Sequence, residues 1–364
     1  PDSISIYRKM ASESSETGKY EKSLRYFQRI LSLSKQKYSE KHAEIAKTYA
    51  NIGVVYKKKG ALEKSLTYYN KAIRLFEENQ TNDNRSVGTL YSHMGNIFVL
   101  QKNYKKGESY YNRAIELLTS DSRQNMDRAS MVYNNLGLLY NNMNQHRKAI
   151  DYYKQSYSLK KQLGLSTSIT LENLGNTYKN MGRTDSAKVY LSHAEEEIRK
   201  HHDNESIHLA SIYINQGVLC LQTASLQEAE KKFRKALHIY INYLGKDHTK
   251  VANCYINLGD VYFRKNDFKK SLHYYQEALN ALSTNFQSAR VAENPDIDST
   301  LSRTLLLNVL KRKASNLAKL STDPVKNKQY ALNTYNLAME IIQQLRLGYY
   351  NEESKLNLIA EERD

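Results

Sequence analysis

From Val132 to Ser156 the chain reads VYNNLGLLYNNMNQHRKAIDYYKQS, with the apolar spacing of a helix although five of the first thirteen residues are asparagine. Asparagine in a helix interior costs about 0.5–0.7 kcal/mol against alanine, so its presence there needs a reason. The pattern returns along the chain. The stretches TYANIG, LYSHMG, VYNNLG, TLENLG, IYINQG and CYINLG end at Gly53, Gly95, Gly137, Gly175, Gly217 and Gly259, in steps of 42, 42, 38, 42 and 42 residues. A fixed period of this length marks an array of small repeated units.

Sixteen residues after each glycine stands Tyr69, Tyr111, Tyr153, Leu191, Phe233 or Tyr275, and twelve after it a small residue, Ser65, Gly107, Ala149, Ala187, Ala229 or Ser271. Each unit therefore predicts two helices, A with the glycine and B after it. A mid-helix glycine costs about 1 kcal/mol relative to alanine. Its recurrence predicts that packing returns the cost, with small facing small where A crosses B. The turn between them holds Gly60, Asn144, Gly182 and Asn266, residues suited to a left-handed helix end, while Lys102 and Ala224 depart from that chemistry. An N-terminal unit has Ala11 in the glycine place and Gly18 at its turn. An irregular eighth pair is expected near Ser302 to Leu320 and Gln329 to Leu347, joined by the loop STDPVKN.

Tyr255, Leu258, Gly259, Tyr262, Ser271, Tyr275 and Ala278 carry, within one unit, the landmarks of the tetratricopeptide repeat (TPR), which the chain resembles. The long period is similar to that of kinesin light chains, and LGKDHTKVANCYINLGDVYFRKNDFKKSLHYYQEAL shows the likeness best. The resemblance implies an all-α, right-handed superhelical solenoid of about eight helix-turn-helix repeats, at approximately 4–36, 46–79, 88–119, 130–163, 168–200, 210–244, 252–284 and 302–347. Residues 348–364 are then a helix or linker toward a further domain. YNEESKLNLIAEERD, Tyr350 to Asp364, resembles the segment joining TPR arrays to a caspase-like CHAT domain in bacterial proteins, through its aromatic and Glu352, Glu353, Ser354, Lys355 and Leu356.

Two residues before the glycines stand Asn51, His93, Asn135, Asn173, Asn215 and Asn257. The resemblance implies that helix A lines a concave groove and that this register points into it, where similar proteins hold bound peptide. Carboxamides there would meet the donors and acceptors of an extended backbone. The bland alternative is that they bond to the adjacent repeat and hold register. Neighbouring groove candidates are Asn96, Asn176 and Asp260, one residue after the glycine, and Lys58, Asn142, Asn180 and Arg264, five after it. Tyr49, Tyr91, Tyr133, Tyr213 and Tyr255 read as core, with hydroxyls at the edge.

Composition agrees with helices: 3 prolines and 14 glycines in 364 residues leave little strand punctuation. A net charge of +16 points to an acidic protein or peptide partner, with nucleic acid as the alternative reading. No run is apolar enough to span a membrane. No nucleotide-binding glycine loop or catalytic constellation is visible, so no enzyme, cofactor or small-molecule substrate is expected. His201, His202, Asp203, Glu205 and His208 read as a solvated loop rather than a metal site, and Cys220 and Cys254 as buried thiols. Pro1 in first place suggests a trimmed or processed chain whose targeting segment lies upstream; the compartment is open, with cytoplasm favoured.

Overall fold

The computed structural model describes residues 3–38, 42–78, 83–118, 122–201 and 206–361, with side chains to Arg346 except at His201. Among the described residues the chain forms sixteen α-helices. In order they are α1 (Ser3–Glu16), α2 (Tyr20–Lys37), α3 (Ala43–Lys58), α4 (Leu62–Glu78), α5 (Asn84–Leu100), α6 (Tyr104–Leu118), α7 (Arg123–Asn142) and α8 (His146–Gln162). There follow α9 (Ser168–Asn180), α10 (Thr184–His201), α11 (Ile207–Gln222), α12 (Leu226–Leu244), α13 (Thr249–Arg264), α14 (Phe268–Leu282), α15 (Arg303–Leu317) and α16 (Pro324–Glu361). Odd-numbered helices are the A helices of the repeats and even-numbered ones the B helices. Two compact units result, Pro1–Thr177 and Tyr178–Asp364.

Within a hairpin the glycine makes room for a ring. A Cβ on Gly53 would lie 2.5 Å from the Tyr69 ring, and one on Gly137 or Gly217 2.5 Å from Tyr153 or Phe233. Tyr111 and Tyr275 sit over Gly95 and Gly259 in the same way. These five rings are fully buried, which is worth roughly 1.5–3 kcal/mol each and outweighs the helix cost of the glycine. The small residue on helix B instead meets the glycine's carbonyl: Ser65 Oγ donates to Gly53 O at 2.7 Å and Ser271 Oγ to Gly259 O at 2.8 Å. Small thus does face small, and the ring sixteen residues after the glycine shares the contact. The side chain is missing so that an aromatic face can lie on the helix backbone.

A second aromatic layer flanks the first. Tyr56 stacks on Tyr68, Phe98 on Tyr110, Tyr140 on Tyr152, Tyr178 on Tyr190 and Tyr262 on Tyr274, with centroids 5.2–5.4 Å apart. In the α11–α12 hairpin both partners change together, to Cys220 and Lys232, and the lysine lies over Tyr213 at 5.1 Å. Tyr49, Tyr91, Tyr133 and Tyr255 are half-buried and Tyr213 is buried.

Seven of the eight A-to-B turns place one residue in the left-handed region: Gly18, Gly60, Lys102, Asn144, Gly182, Ala224 and Asn266. Lys102 (φ 58°) and Ala224 (φ 57°) adopt it against residue preference because the helix end is closed behind them. The Asn103 amide donates to Phe98 O and the Ser225 amide to Cys220 O, both at 2.8 Å, the six-to-one bond of a Schellman cap.

The last hairpin differs from expectation at its start. Pro324 opens α16 rather than lying in a loop, because Asp323 caps it and proline at the first helical position loses no hydrogen bond. α16 then runs unbroken to Glu361. Before α15, the connection 283–302 is tied down by Lys313, which is fully buried. Its Nζ donates to Gln276 Oε1 at 2.8 Å, Glu293 O at 2.7 Å and Asn294 Oδ1 at 2.8 Å. Burial pushes its pKa down to about 7, opposed by the Glu293 charge.

Two outcomes are expected. Ala224→Gly relieves left-handed strain and raises stability by about 0.5–1 kcal/mol in denaturant unfolding; a lower midpoint would contradict the turn conformation. Lys313→Met strands three oxygens at about 1–3 kcal/mol each and speeds tryptic cleavage after the exposed Arg290. Cleavage at the wild-type rate would show that Lys313 does not hold the connection.

Candidate functional site

Within unit Pro1–Thr177, four successive A helices contribute to one cleft of about 560 Å³. Arg8 comes from α1, Lys47, Asn51 and Val54 from α3, Arg85 and His93 from α5, and Arg128 from α7. Asn51 and His93, two of the predicted column, therefore share a surface. Lys47 lies four residues before Asn51 and Arg128 seven before Asn135, spacings that put them on the asparagine face of their helices. Sequence reasoning missed both, although stepping back one or two helical turns from each asparagine finds them.

The cleft is electropositive because Arg8, Lys47, Arg85 and Arg128 outnumber its carboxylates, Glu44 and Asp83, and both acids are engaged within the chain. Glu44 is paired with Arg8, and Asp83 Oδ1 caps α5 by accepting from the Ser86 amide at 3.0 Å. Arg85 donates to Gln124. By contrast, Arg128 Nε and His93 Nδ1 are buried without a hydrogen-bond partner. Burial lowers the His93 pKa to about 4, with help from the positive charges of Lys57 and Arg128, so the imidazole is neutral at pH 7. A buried donor or acceptor left unpaired costs about 1–3 kcal/mol. Two at one cleft mark a place where an acceptor from elsewhere would be stabilising.

The other column members divide between two roles. Asn51, Asn135 and Asn257 are half-buried and make no side-chain hydrogen bond among the described residues. Asn173 Nδ2 donates to Asn134 Oδ1 on α7 at 3.1 Å, and Asn215 Oδ1 accepts from Lys179 Nζ at 3.0 Å. These two tie adjacent repeats together. In the next register, Asn96 accepts from the Tyr111 hydroxyl at 2.6 Å. Asp260 accepts from the Tyr275 hydroxyl at 2.7 Å and from Arg312 Nε at 2.9 Å. Their first task is to satisfy the ring that covers the glycine; where Val54 occupies this register, the Tyr69 hydroxyl has no partner. Asn176 is half-buried, and Lys58, Asn142 and Asn180 are exposed. Arg264 is exposed but donates to Leu221 O at 2.6 Å.

Elsewhere the polar side chains form staples between repeats. Glu230 accepts from Tyr262 and Lys265, both at 2.7 Å, and from Arg234. Burial alone would raise its pKa, but these donors hold it near 2. Cys254 is buried and Cys220 half-buried, and burial pushes both thiols up. No group of three or more metal-ligating side chains occurs among the described residues; His202, Asp203 and Glu205 lie outside them. No described helix is long and apolar enough to cross a membrane.

Known proteins agree with this architecture. The tetratricopeptide repeat profile matches residues 2–78, 86–162, 166–241 and 208–284. Among solved structures, BtubC (BKLC) from P. vanneervenii is 23% identical, over 66% of this chain and 98% of its own, with a TM-score of 0.55. A STAND signal-transduction ATPase with a tetratricopeptide repeat sensor, from Pyrococcus horikoshii, is 14% identical over 95% of this chain, with a TM-score of 0.65. This chain spans 49% of that protein. Aspartyl phosphate phosphatase F from Bacillus subtilis is 15% identical over 77% of this chain and 70% of its own, with a TM-score of 0.57. No curated protein matches the chain. At these identities the structures speak for the fold alone. With the profile covering most of its length, the chain belongs to the tetratricopeptide repeat family, whose helical arrays are typically non-catalytic scaffolds for protein–protein interaction.

Proposed function

We propose that the chain captures an extended, acidic segment of a protein partner on its A-helix face, with the cleft lined by Asn51, His93 and Arg128 as the principal contact. The observation that carries this reading is the pair of buried, unpartnered groups, Arg128 Nε and His93 Nδ1, at a cleft whose own carboxylates are engaged. A partner carboxylate supplies the missing acceptor, and the free amides of Asn51 and Asn135 meet its backbone. Asn173 and Asn215 support the face by joining repeats, and Asn257, Asn142, Asn180 and Lys58 extend the choice of contacts. In the intact protein this capture regulates a C-terminal effector, for which the resemblance of Tyr350–Asp364 to the approach to a CHAT-type protease is the support.

Fluorescence polarisation with labelled decapeptides carrying none to four acidic residues tests the reading. Affinity rises with acidic content, and Arg128→Ala lowers it about tenfold or more, as expected for a charge-assisted bond worth roughly 1.5–3 kcal/mol, without lowering the melting temperature. Unchanged affinity in Arg128→Ala and Asn51→Ala would remove the cleft from the binding site. A carboxylate seated beside His93 raises the imidazole pKa from about 4, so binding takes up protons. Affinity therefore increases as pH falls from 7 toward 5, and His93→Gln removes that dependence. A wild-type chain whose affinity is flat across this range would place the carboxylate elsewhere.

A further inference from the structure

The joint between α10 and α11 departs from the repeat at matched positions. Twenty residues after the glycine on a B helix, and one before the glycine on the next A helix, the chain pairs Ile73 with Met94, Ile115 with Leu136, Tyr157 with Leu174 and Leu237 with Leu258. Ile73 and Met94 share one apolar cluster, and Leu237 packs against the cluster that holds Leu258. At the α10–α11 joint the same two positions are Glu195 and Gln216. They meet as the apolar pairs do, Gln216 Nε2 donating to Glu195 Oε2 at 2.9 Å.

Neighbouring positions change with them. Leu191 stands where the other B helices carry a tyrosine or phenylalanine ring, and Cys220 and Lys232 replace the second aromatic layer. Lys232 Nζ reaches Glu195 Oε2 at 3.4 Å, and Arg199 Nη2 its Oε1 at 3.1 Å. Ile198, Leu209 and Ile212 stay buried toward the loop end. At mid-joint the apolar cluster shrinks to Ala187, Leu191 and Leu219 with Tyr178 against it, whereas Leu221, Ala229, Phe233, Leu258 and Val261 form the cluster that spans α11 to α13. Gln216 is 8% exposed, and its Oε1 is buried without a partner.

Parting two apolar faces exposes area that water disfavours. A carboxylate, an ammonium and an amide instead exchange their partners for water, and Gln216 Oε1 gains a bond that the closed joint denies it. Each repeat of an array is held by its own fold and by its immediate neighbours, so a polar joint can part while the hairpins beside it stay folded. We infer that the α10–α11 joint is a hinge, at which α10 and the α11–α12 hairpin separate as folded bodies because Glu195 and Gln216 stand in place of an apolar pair. The angle between these two neighbouring repeats is thereby adjustable.

Thiol labelling of the whole chain tests this without requiring a helix to unfold. In a Cys220→Ser, Cys254→Ala background, Leu219→Cys and Val261→Cys each stand two residues after the glycine, at the α10–α11 and α12–α13 joints, and both native side chains are buried. Under native conditions Leu219→Cys reacts at least about tenfold faster than Val261→Cys. Adding Glu195→Leu and Gln216→Leu, the residues of the α12–α13 joint, brings the Leu219→Cys rate down to that of Val261→Cys and leaves the latter unchanged. Should circular dichroism show that this variant does not fold, Gln216→Leu alone serves, since Glu195 keeps Arg199 and Lys232, and it slows Leu219→Cys in the same direction. Equal rates at the two unaltered joints overturn the inference. So does a difference that persists in the folded leucine variant, which is static exposure, or faster labelling there, which means that the polar pair locks the joint.

Discussion

The architecture depends on one contact, an aromatic ring from helix B lying directly on the backbone of helix A where a glycine withholds its side chain. Any Cβ at Gly53, Gly137 or Gly217 would enter the ring above it, so the distance between the two helices is set by ring thickness. The same crossing brings a serine hydroxyl to the glycine carbonyl in the α3–α4 and α13–α14 hairpins. Alignment at this point fixes the rotation of helix A. Positions two before the glycine then have to face away from helix B.

Function follows from what that rotation exposes. Amides that no longer have an intra-hairpin partner can bond to the adjacent repeat or stay unbonded, and both occur. Asn173 and Asn215 take the first course. At the cleft formed by α1, α3, α5 and α7, the acids are used internally while Arg128 and His93 keep buried nitrogens unpaired. Leaving these buried polar groups unpaired costs the fold some stability, which an acceptor supplied at the proposed binding cleft would return.

Much of this was legible in the repeat alone. The period, the glycine register, the ring sixteen residues later and the turn position were all visible because they recur in identical spacing. The nature of the glycine contact was not, since two small positions and one large one are compatible with more than one pairing. Nor was the division of the asparagines. Whether Asn173 is spent depends on Asn134 in the preceding repeat, and a single register gives no sign of its neighbour. Lys313 was invisible for the same reason, as its three oxygen partners come from Gln276, Glu293 and Asn294. The signal for Arg128 was present in the helical spacing and lay one step beyond the column that drew attention.

The ring-on-glycine contact is tested most directly by a double-mutant cycle at Gly259 and Tyr275, with stability read by urea unfolding. Alanine for glycine within a helix should by itself add about 1 kcal/mol; here Gly259→Ala is expected to destabilise, because its Cβ enters the Tyr275 ring. In a Tyr275→Leu background the same substitution becomes neutral or stabilising. A stabilising Gly259→Ala in the wild-type background would show that the ring does not hold the helices apart.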